Sequence, residues 1–307
     1  MYLLFMRGRI NVKILITGAK GQLGNELQSI VKCGKAEIGD ISKKIKDSNV
    51  VALDVEDLDI TNLEHVKAVI FKESPDIVIN CAAATNVDGC ESNEDLAFKI
   101  NSLGPRNLAM TCEKIGAKLV QVSTDYVFSG VGSKPLTEFD LTAPYSVYGK
   151  TKLLGEDYVR QLSSKYFIVR TAWLYGHVGK NFVYTMINLG KDKDTLSVVN
   201  DQIGNPTHAN DLAYHILNLI ETEEYGIYHC TGKGECSWYE FAKSIMELSG
   251  IKCTVKPCTS KEYKTVAKRP EYSSLDNMML RCTVGDEMRY WKDALTSFIE
   301  TLNKKGE

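Results

Sequence analysis

Between residues 12 and 170 the chain alternates short apolar, β-branched runs with stretches of helical hydrophobic spacing, and it does so at least five times. Residues 12–17 (VKILIT) run into glycines, after which Leu23, Leu27, Ile30 and Val31 recur at helical spacing. Residues 50–53, 76–80 (DIVIN), 118–123 (KLVQVS) and 167–170 read as further strands. Residues 63–71, 96–115 and a segment carrying Tyr148, Lys152 and Glu156 read as helices. Such alternation predicts an α/β fold, a doubly wound, Rossmann-like parallel sheet with helices on both faces. Runs such as ILIT and DIVIN lack a polar alternate face, as strands covered on both sides do.

After Arg170 the rhythm breaks at Gly176, Gly179, Gly190, Gly204 and Pro206, so a smaller C-terminal α+β substrate lobe is expected. The expected division is a dinucleotide-binding domain of residues 12–170 plus about 195–225, and a substrate lobe of 171–194 and about 226–307. Residues 196–200 and 211–220 are expected to rejoin the first domain as strand and helix. Residues 1–11 read as an N-terminal extension. A formal net charge of -2 leaves no basic excess to neutralise a nucleic-acid backbone. No run of about 18 apolar residues is present to span a membrane. The nine cysteines are scattered without a CxxC pair, and the five histidines lack metal spacing, so reduced thiols, no metal and a soluble cytoplasmic protein are expected.

Gly18, Gly21 and Gly24 lie between the first strand and the first helix, the context that a dinucleotide loop requires. A helix N-terminus presents free amides and partial positive charge to a pyrophosphate, and glycines let the backbone approach it. The spacing is GxxGxxG rather than GxGxxG, and by itself it also suits a tight turn. Asp54 ends the second strand, where an acidic side chain accepts from the adenosine ribose hydroxyls and repels a 2′-phosphate, favouring NADH over NADPH. Asp59 and Ile60 are candidates to line the adenine.

Tyr148 and Lys152 stand four apart on a helix, which places phenol and ammonium side by side. An ordinary tyrosine exchanges protons poorly at neutral pH, and a neighbouring cation favours its phenolate. Thr124, with Ser123 and Asp125, ends a strand at the carboxyl edge where ligands sit in open α/β sheets. Asn80 and the small residues after it, through Ala83, Ala84 and Thr85, end another, as a passing cofactor backbone would need.

Together these residues resemble the extended short-chain dehydrogenase/reductase superfamily. STDYVF at 123–128, YGKTKLLGE at 148–156, RTAWLYG at 170–176, DQIGNPT at 201–207 and RPEYSSL at 269–275 resemble its dTDP-4-dehydrorhamnose reductase family, and the likeness covers essentially everything after Val12. That resemblance implies NADH- or NADPH-dependent reduction of the 4-keto group of dTDP-4-dehydro-6-deoxy-L-mannose to dTDP-L-rhamnose. It further implies that Tyr148 donates the proton, that Lys152 holds the nicotinamide ribose and lowers the tyrosine pKa, and that Thr124 polarises the carbonyl. Gly21, Gln22, Leu23, Asp54, Asp59, Ile60, Ala83, Ala84, Thr85 and Val122 fall where the family touches cofactor, and Asp125 and Trp173 where it touches the sugar. Lys180, Asn181 and Arg269 are candidates, by position and residue type, to hold the nucleotide diphosphate.

Some members dimerise around magnesium held by glutamates. Glu26 matches one such position, but Asn210 and Lys292 stand at the others, so neither the metal nor that dimer is expected. Related dehydratases carry Thr-Asp-Glu where this chain has Thr124, Asp125 and Tyr126, which argues for carbonyl reduction without elimination. Another nucleotide 4-ketosugar reductase or an epimerase stays open. So does a non-catalytic role, since the superfamily resembles the regulatory subunit of methionine adenosyltransferase.

Overall fold

A computed structural model describes residues 11–306. The first ten residues of the expected N-terminal extension lie outside the described residues. The central unit runs β1 (Lys13–Thr17), α1 (Gln22–Cys33), β2 (Asn49–Leu53), α2 (Leu63–Glu73), β3 (Ile77–Asn80), α3 (Gly104–Ile115), β4 (Lys118–Thr124), α4 (Val147–Leu162), β5 (Tyr166–Thr171), α5 (Ala209–Leu219) and β6 (Gly226–His229). Its six strands form one parallel sheet in the order β2-β1-β3-β4-β5-β6.

Alternate residues of these strands pack on opposite faces of the sheet, as the period of two requires. Ile14, Ile16, Ile77, Ile79, Val120, Phe167 and Val169 pack with α1 and α5. Leu15, Val78, Leu119 and Ile168 pack on the other face with Val66 and Ile70 of α2, Leu108 and Cys112 of α3 and Val159 of α4. A buried polar row ties the carboxyl ends of three strands: Thr17 Oγ1 donates to Asn80 Oδ1 at 2.6 Å, and Asn80 Nδ2 to Gln121 Oε1 at 2.7 Å. The strand order reverses between β1 and β3, which opens a crevice at their carboxyl ends.

Two elements depart from the expected reading. The strand expected near 196–200 forms at Thr195–Val199 but pairs in parallel with Thr254–Cys258, away from the central sheet. Its residues alternate between exposed and buried up to Val198, the pattern of a strand covered on one face. The sixth central strand is instead Gly226–His229, beside β5. The helix expected over 211–220 does pack back on α1.

The stretch read as one helix over 96–115 is three pieces: α-helix Glu94–Phe98, a π-helical turn Lys99–Leu103, and α3. Pro105 has no N–H for the carbonyl of Asn101, and the Gly104 N–H reaches back five residues to Lys99. A second core, built on Phe182–Asp192, Trp238–Ser249 and Trp291–Gly306, gathers Val183, Phe241, Ile245, Leu295 and Phe298. Ser237 and Glu240 form a reciprocal capping box at the start of the second of these helices. No helix among the described residues is long and apolar enough to cross a membrane.

Candidate active site

A cleft of about 1030 Å³ opens at the carboxyl ends of β1, β3 and β4 and reaches the second core at Trp173 and Trp238. Its floor begins at residues 18–24. Gly18 has φ of 62°, and a Cβ there would sit 2.7 Å from the Ala82 amide nitrogen, so no side chain is tolerated where the two loops cross. Gly21 caps α1 without a side-chain hydrogen bond, leaving first-turn amides directed at the cleft. A bare, glycine-lined helix N-terminus with this close approach fits a dinucleotide pyrophosphate.

Gly18, Gly21, Gln22, Leu23, Gly24, Asp54, Asp59, Ile60, Ala83, Thr85 and Val122 all line this cleft. Asp54 is held in place by accepting the Lys20 amide at 2.8 Å and its neighbour Val55 at 2.9 Å. Asp59 accepts both the amide and the hydroxyl of Thr61. Ala84 lies just behind the lining, where its N–H and C=O both bond Asn101 at 2.9 and 3.1 Å.

Farther along the cleft stand Thr124, Asp125, Tyr126, Tyr148, Lys152 and Trp173. Lys152 is 3% exposed and its Nζ donates to the Val122 carbonyl at 2.6 Å. Burial pushes its pKa down to about 8, against the opposing charge of Glu156. Burial pushes the Tyr148 phenol up, further raised by the Asp125 charge and partly offset by a hydrogen bond with Thr124. Burial dominates at the phenol, and the Lys152 ammonium is directed to a strand carbonyl. A raised phenol is protonated at neutral pH, the state that a proton donor needs.

Thr124 Oγ1 donates to Asp125 Oδ1 at 2.9 Å and accepts the Tyr126 amide at 3.2 Å. The Tyr126 ring meets Tyr148 edge-on at 5.4 Å. Trp173 has a non-glycine φ of 46° and stacks on Trp238 with ring centroids 3.5 Å apart and planes 8° from parallel. Such a backbone persists only where surroundings over-determine it, and here it fixes an indole wall in the cleft that Tyr148 also lines.

Two expected contacts stand back from the cleft. Asn181 caps the helix Phe182–Asp192 and donates to Gln22 Oε1 at 3.1 Å, so it braces a lining residue. Arg269 pairs with Asp88 at 2.8 Å and reaches the Tyr126 hydroxyl at 3.4 Å. Lys180 does line the cleft. Glu26 is buried and accepts from Asn210 Nδ2 at 2.9 Å, and Lys292 is exposed.

Sequence reasoning missed Trp238 and Asn101. Trp238 follows a recognisable capping box, but nothing in its own segment announces that it faces Trp173 across the fold. Asn101, 1% exposed, also bonds Thr151 of α4 at 3.3 Å, linking the β3 loop to the Tyr148 helix. Its signal was the Gly104-Pro105 pair, which breaks the helix ladder beside it.

Residues 12–304 match the family model described as RmlD substrate binding domain. The chain is 41% identical to a dTDP-4-dehydrorhamnose reductase of Streptomyces griseus, over 94% of this chain and 93% of that protein. A crystal structure of a dTDP-4-dehydrorhamnose reductase from Clostridium acetobutylicum superimposes with a TM-score of 0.90 at 52% identity, covering 95% of this chain and all of that one. The Bacillus anthracis dTDP-4-dehydrorhamnose reductase in complex with NADP gives 0.88 at 43% identity, covering 95% and 99%. With the glycine loop, the Tyr148 and Lys152 pair and the second lobe all within the span matched by these relatives, the chain belongs to the RmlD substrate binding domain family.

Proposed function

We propose that this protein reduces the 4-keto group of dTDP-4-dehydro-6-deoxy-L-mannose to give dTDP-L-rhamnose, using NADH or NADPH. The observation that carries the reading is one cleft wall that joins the glycine loop to Thr124, Tyr148 and Lys152. The bound nicotinamide supplies hydride to C4. The phenol of Tyr148, kept protonated by burial, donates its proton to the carbonyl oxygen as charge develops there. Thr124 stabilises the same oxygen by hydrogen bonding. Lys152 holds the ribose face of the cofactor and keeps a positive charge near the developing phenolate.

Asp125, Trp173 and Trp238 form the sugar end of the site in this proposal, and Lys180, which lines the cleft, is the cation that holds the nucleotide diphosphate. Asn181 and Arg269 act one step behind, through Gln22 and Tyr126. The tyrosine at position 126 supports reduction over dehydration, because no glutamate is placed there to remove a proton for elimination. A cytoplasmic setting belongs to the same proposal, supported by nine unpaired cysteines.

The test is the loss of reduced-nicotinamide absorbance with the ketosugar generated in place. Turnover with NADH or NADPH and recovery of dTDP-L-rhamnose is expected. No turnover with either, in protein shown to bind the cofactor, would overturn the reading.

A further inference from the structure

Thr124 is asked to donate to the substrate carbonyl, yet its single proton is already committed. A threonine hydroxyl carries one proton and two acceptor lone pairs. Here Oγ1 donates to Asp125 Oδ1 at 2.9 Å and accepts the Tyr126 amide at 3.2 Å. An ionised carboxylate can only accept, so Thr124 must point its proton at Asp125 as long as Asp125 is charged. A carboxyl protonated on Oδ1 reverses the bond: its O–H donates to Oγ1 and, with the Tyr126 amide, fills both lone pairs, so the threonine proton is free to turn to the cleft.

Asp125 is built for that change of state. It is 2% exposed, its Oδ2 has no hydrogen-bond partner, and it lines the cleft. No cation among the described residues pairs with it. The groups facing it are Thr124 on β4, Tyr126 on the turn that follows, Tyr148 on α4, and Ser273 from the C-terminal segment. Arg269 is engaged by Asp88 and by the Tyr126 hydroxyl.

We propose that Asp125 is a positioning residue that sets the direction of the Thr124 hydroxyl: its neutral form donates to Thr124 and releases the threonine proton to the carbonyl oxygen. The proposal rests on the reductase reading above. No proton leaves Asp125 in the cycle; the one delivered to the product oxygen comes from Tyr148. Burial supports the required state, pushing the Asp125 carboxyl up to about 6 against the hydrogen bonds of Ser273 and Thr124. The sign follows: the productive form is protonated, so kcat/KM is highest below that range and falls by about tenfold per pH unit above it.

The experiment is the initial-rate pH profile of kcat/KM for wild type, Asp125→Asn, Asp125→Ala and Thr124→Ala. The carboxamide introduced by Asp125→Asn can donate to Thr124 at every pH, so that variant is expected to lose the falling limb that starts near 6, keeping only one near 8 from Lys152, while staying well above Asp125→Ala in turnover. Thr124→Ala is expected to lose the same limb, because Asp125 then has nothing to direct. Persistence of the limb in either variant, or equal impairment of Asp125→Asn and Asp125→Ala, would overturn the proposal. Carboxyl carbon NMR of Asp125 in wild-type protein gives an answer independent of variant folding. Its titration is expected to move to higher pH when the ketosugar binds, and an unmoved titration would also overturn the proposal. Failure of the reductase reading has a different signature, absence of wild-type turnover at every pH.

Discussion

At Tyr148 three demands meet on one phenol: it must stay protonated, reach the substrate oxygen, and tolerate negative charge after the transfer. Burial supplies the first, and a place in the cleft beside Thr124 serves the second. The nearby Lys152, itself lowered to about 8, supplies the third in the fraction that remains charged. Tyr148→Phe keeps the ring against Tyr126 and removes only the proton, so turnover should fall by about 10²–10⁴-fold with cofactor affinity within about twofold. Parallel steady-state kinetics and NADPH titration check this, and a variant that keeps most of its turnover would remove Tyr148 from the acid role. At this scale much was legible, because Tyr148 and Lys152 share one helix and their meeting is fixed by spacing of four. Trp238 was not legible. Its partner Trp173 is distant in sequence, and only the packing of the second core brings the rings to 3.5 Å.

The helix α4 that carries these residues is fixed at its N-terminal end and at its middle. Ser146 accepts the Gly149 amide at 3.1 Å, and the Val147 amide donates to Glu91 at 2.8 Å. Gly149 itself passes so close to the turn after β4 that a Cβ would lie 2.2 Å from the Tyr126 carbonyl oxygen. Two turns beyond Tyr148, the wholly buried Glu156 accepts Arg170 of β5 in a bidentate pair, 2.7 Å at its shortest, and the Ser123 hydroxyl at 2.5 Å. That triad binds helix to sheet directly beneath the reactive groups. Arg170→Met leaves a buried carboxylate with one neutral donor, and removing one partner of such a pair costs about 3–5 kcal/mol. Urea unfolding should show that loss, and a change under about 1 kcal/mol would mean the pair contributes little to the fold. Elements were legible where one signal dominated, as in the apolar runs of β1 and β3. The π-helical turn was hidden because the buried Ala97 and Leu108 keep helical spacing across it, while the proline that breaks the ladder is an ordinary first-turn residue of the next helix. The strand Thr195–Val199 was legible as a strand, but its partner is chosen by which face is covered, and that is decided by the second core.

On the scale of the whole molecule, one carboxylate joins the two cores. Glu37, just past α1, accepts Arg289 Nη2 at 2.9 Å and the Ser297 hydroxyl at 2.8 Å from the C-terminal segment, and lies 3.9 Å from both His177 and His208. Arg289 also grips Asp211 at the start of α5, at 2.6 Å. Burial opposes the charge on Glu37, yet the nearby His177, His208 and Arg289 and the hydrogen bond from Ser297 outweigh it and hold the pKa at about 2. A group depressed on folding stabilises the native state above its unfolded value and loses that contribution as pH falls through its folded value. The stability difference between wild type and Glu37→Gln should therefore shrink steadily as pH falls from about 4.5 toward about pH 2. Urea unfolding across that window measures it. A difference that stays constant to the acid end would show that folding does not hold the Glu37 carboxylate in its charged form, and that the seam between the cores depends on apolar contacts such as the stacking of His177 on Phe298 at 4.6 Å.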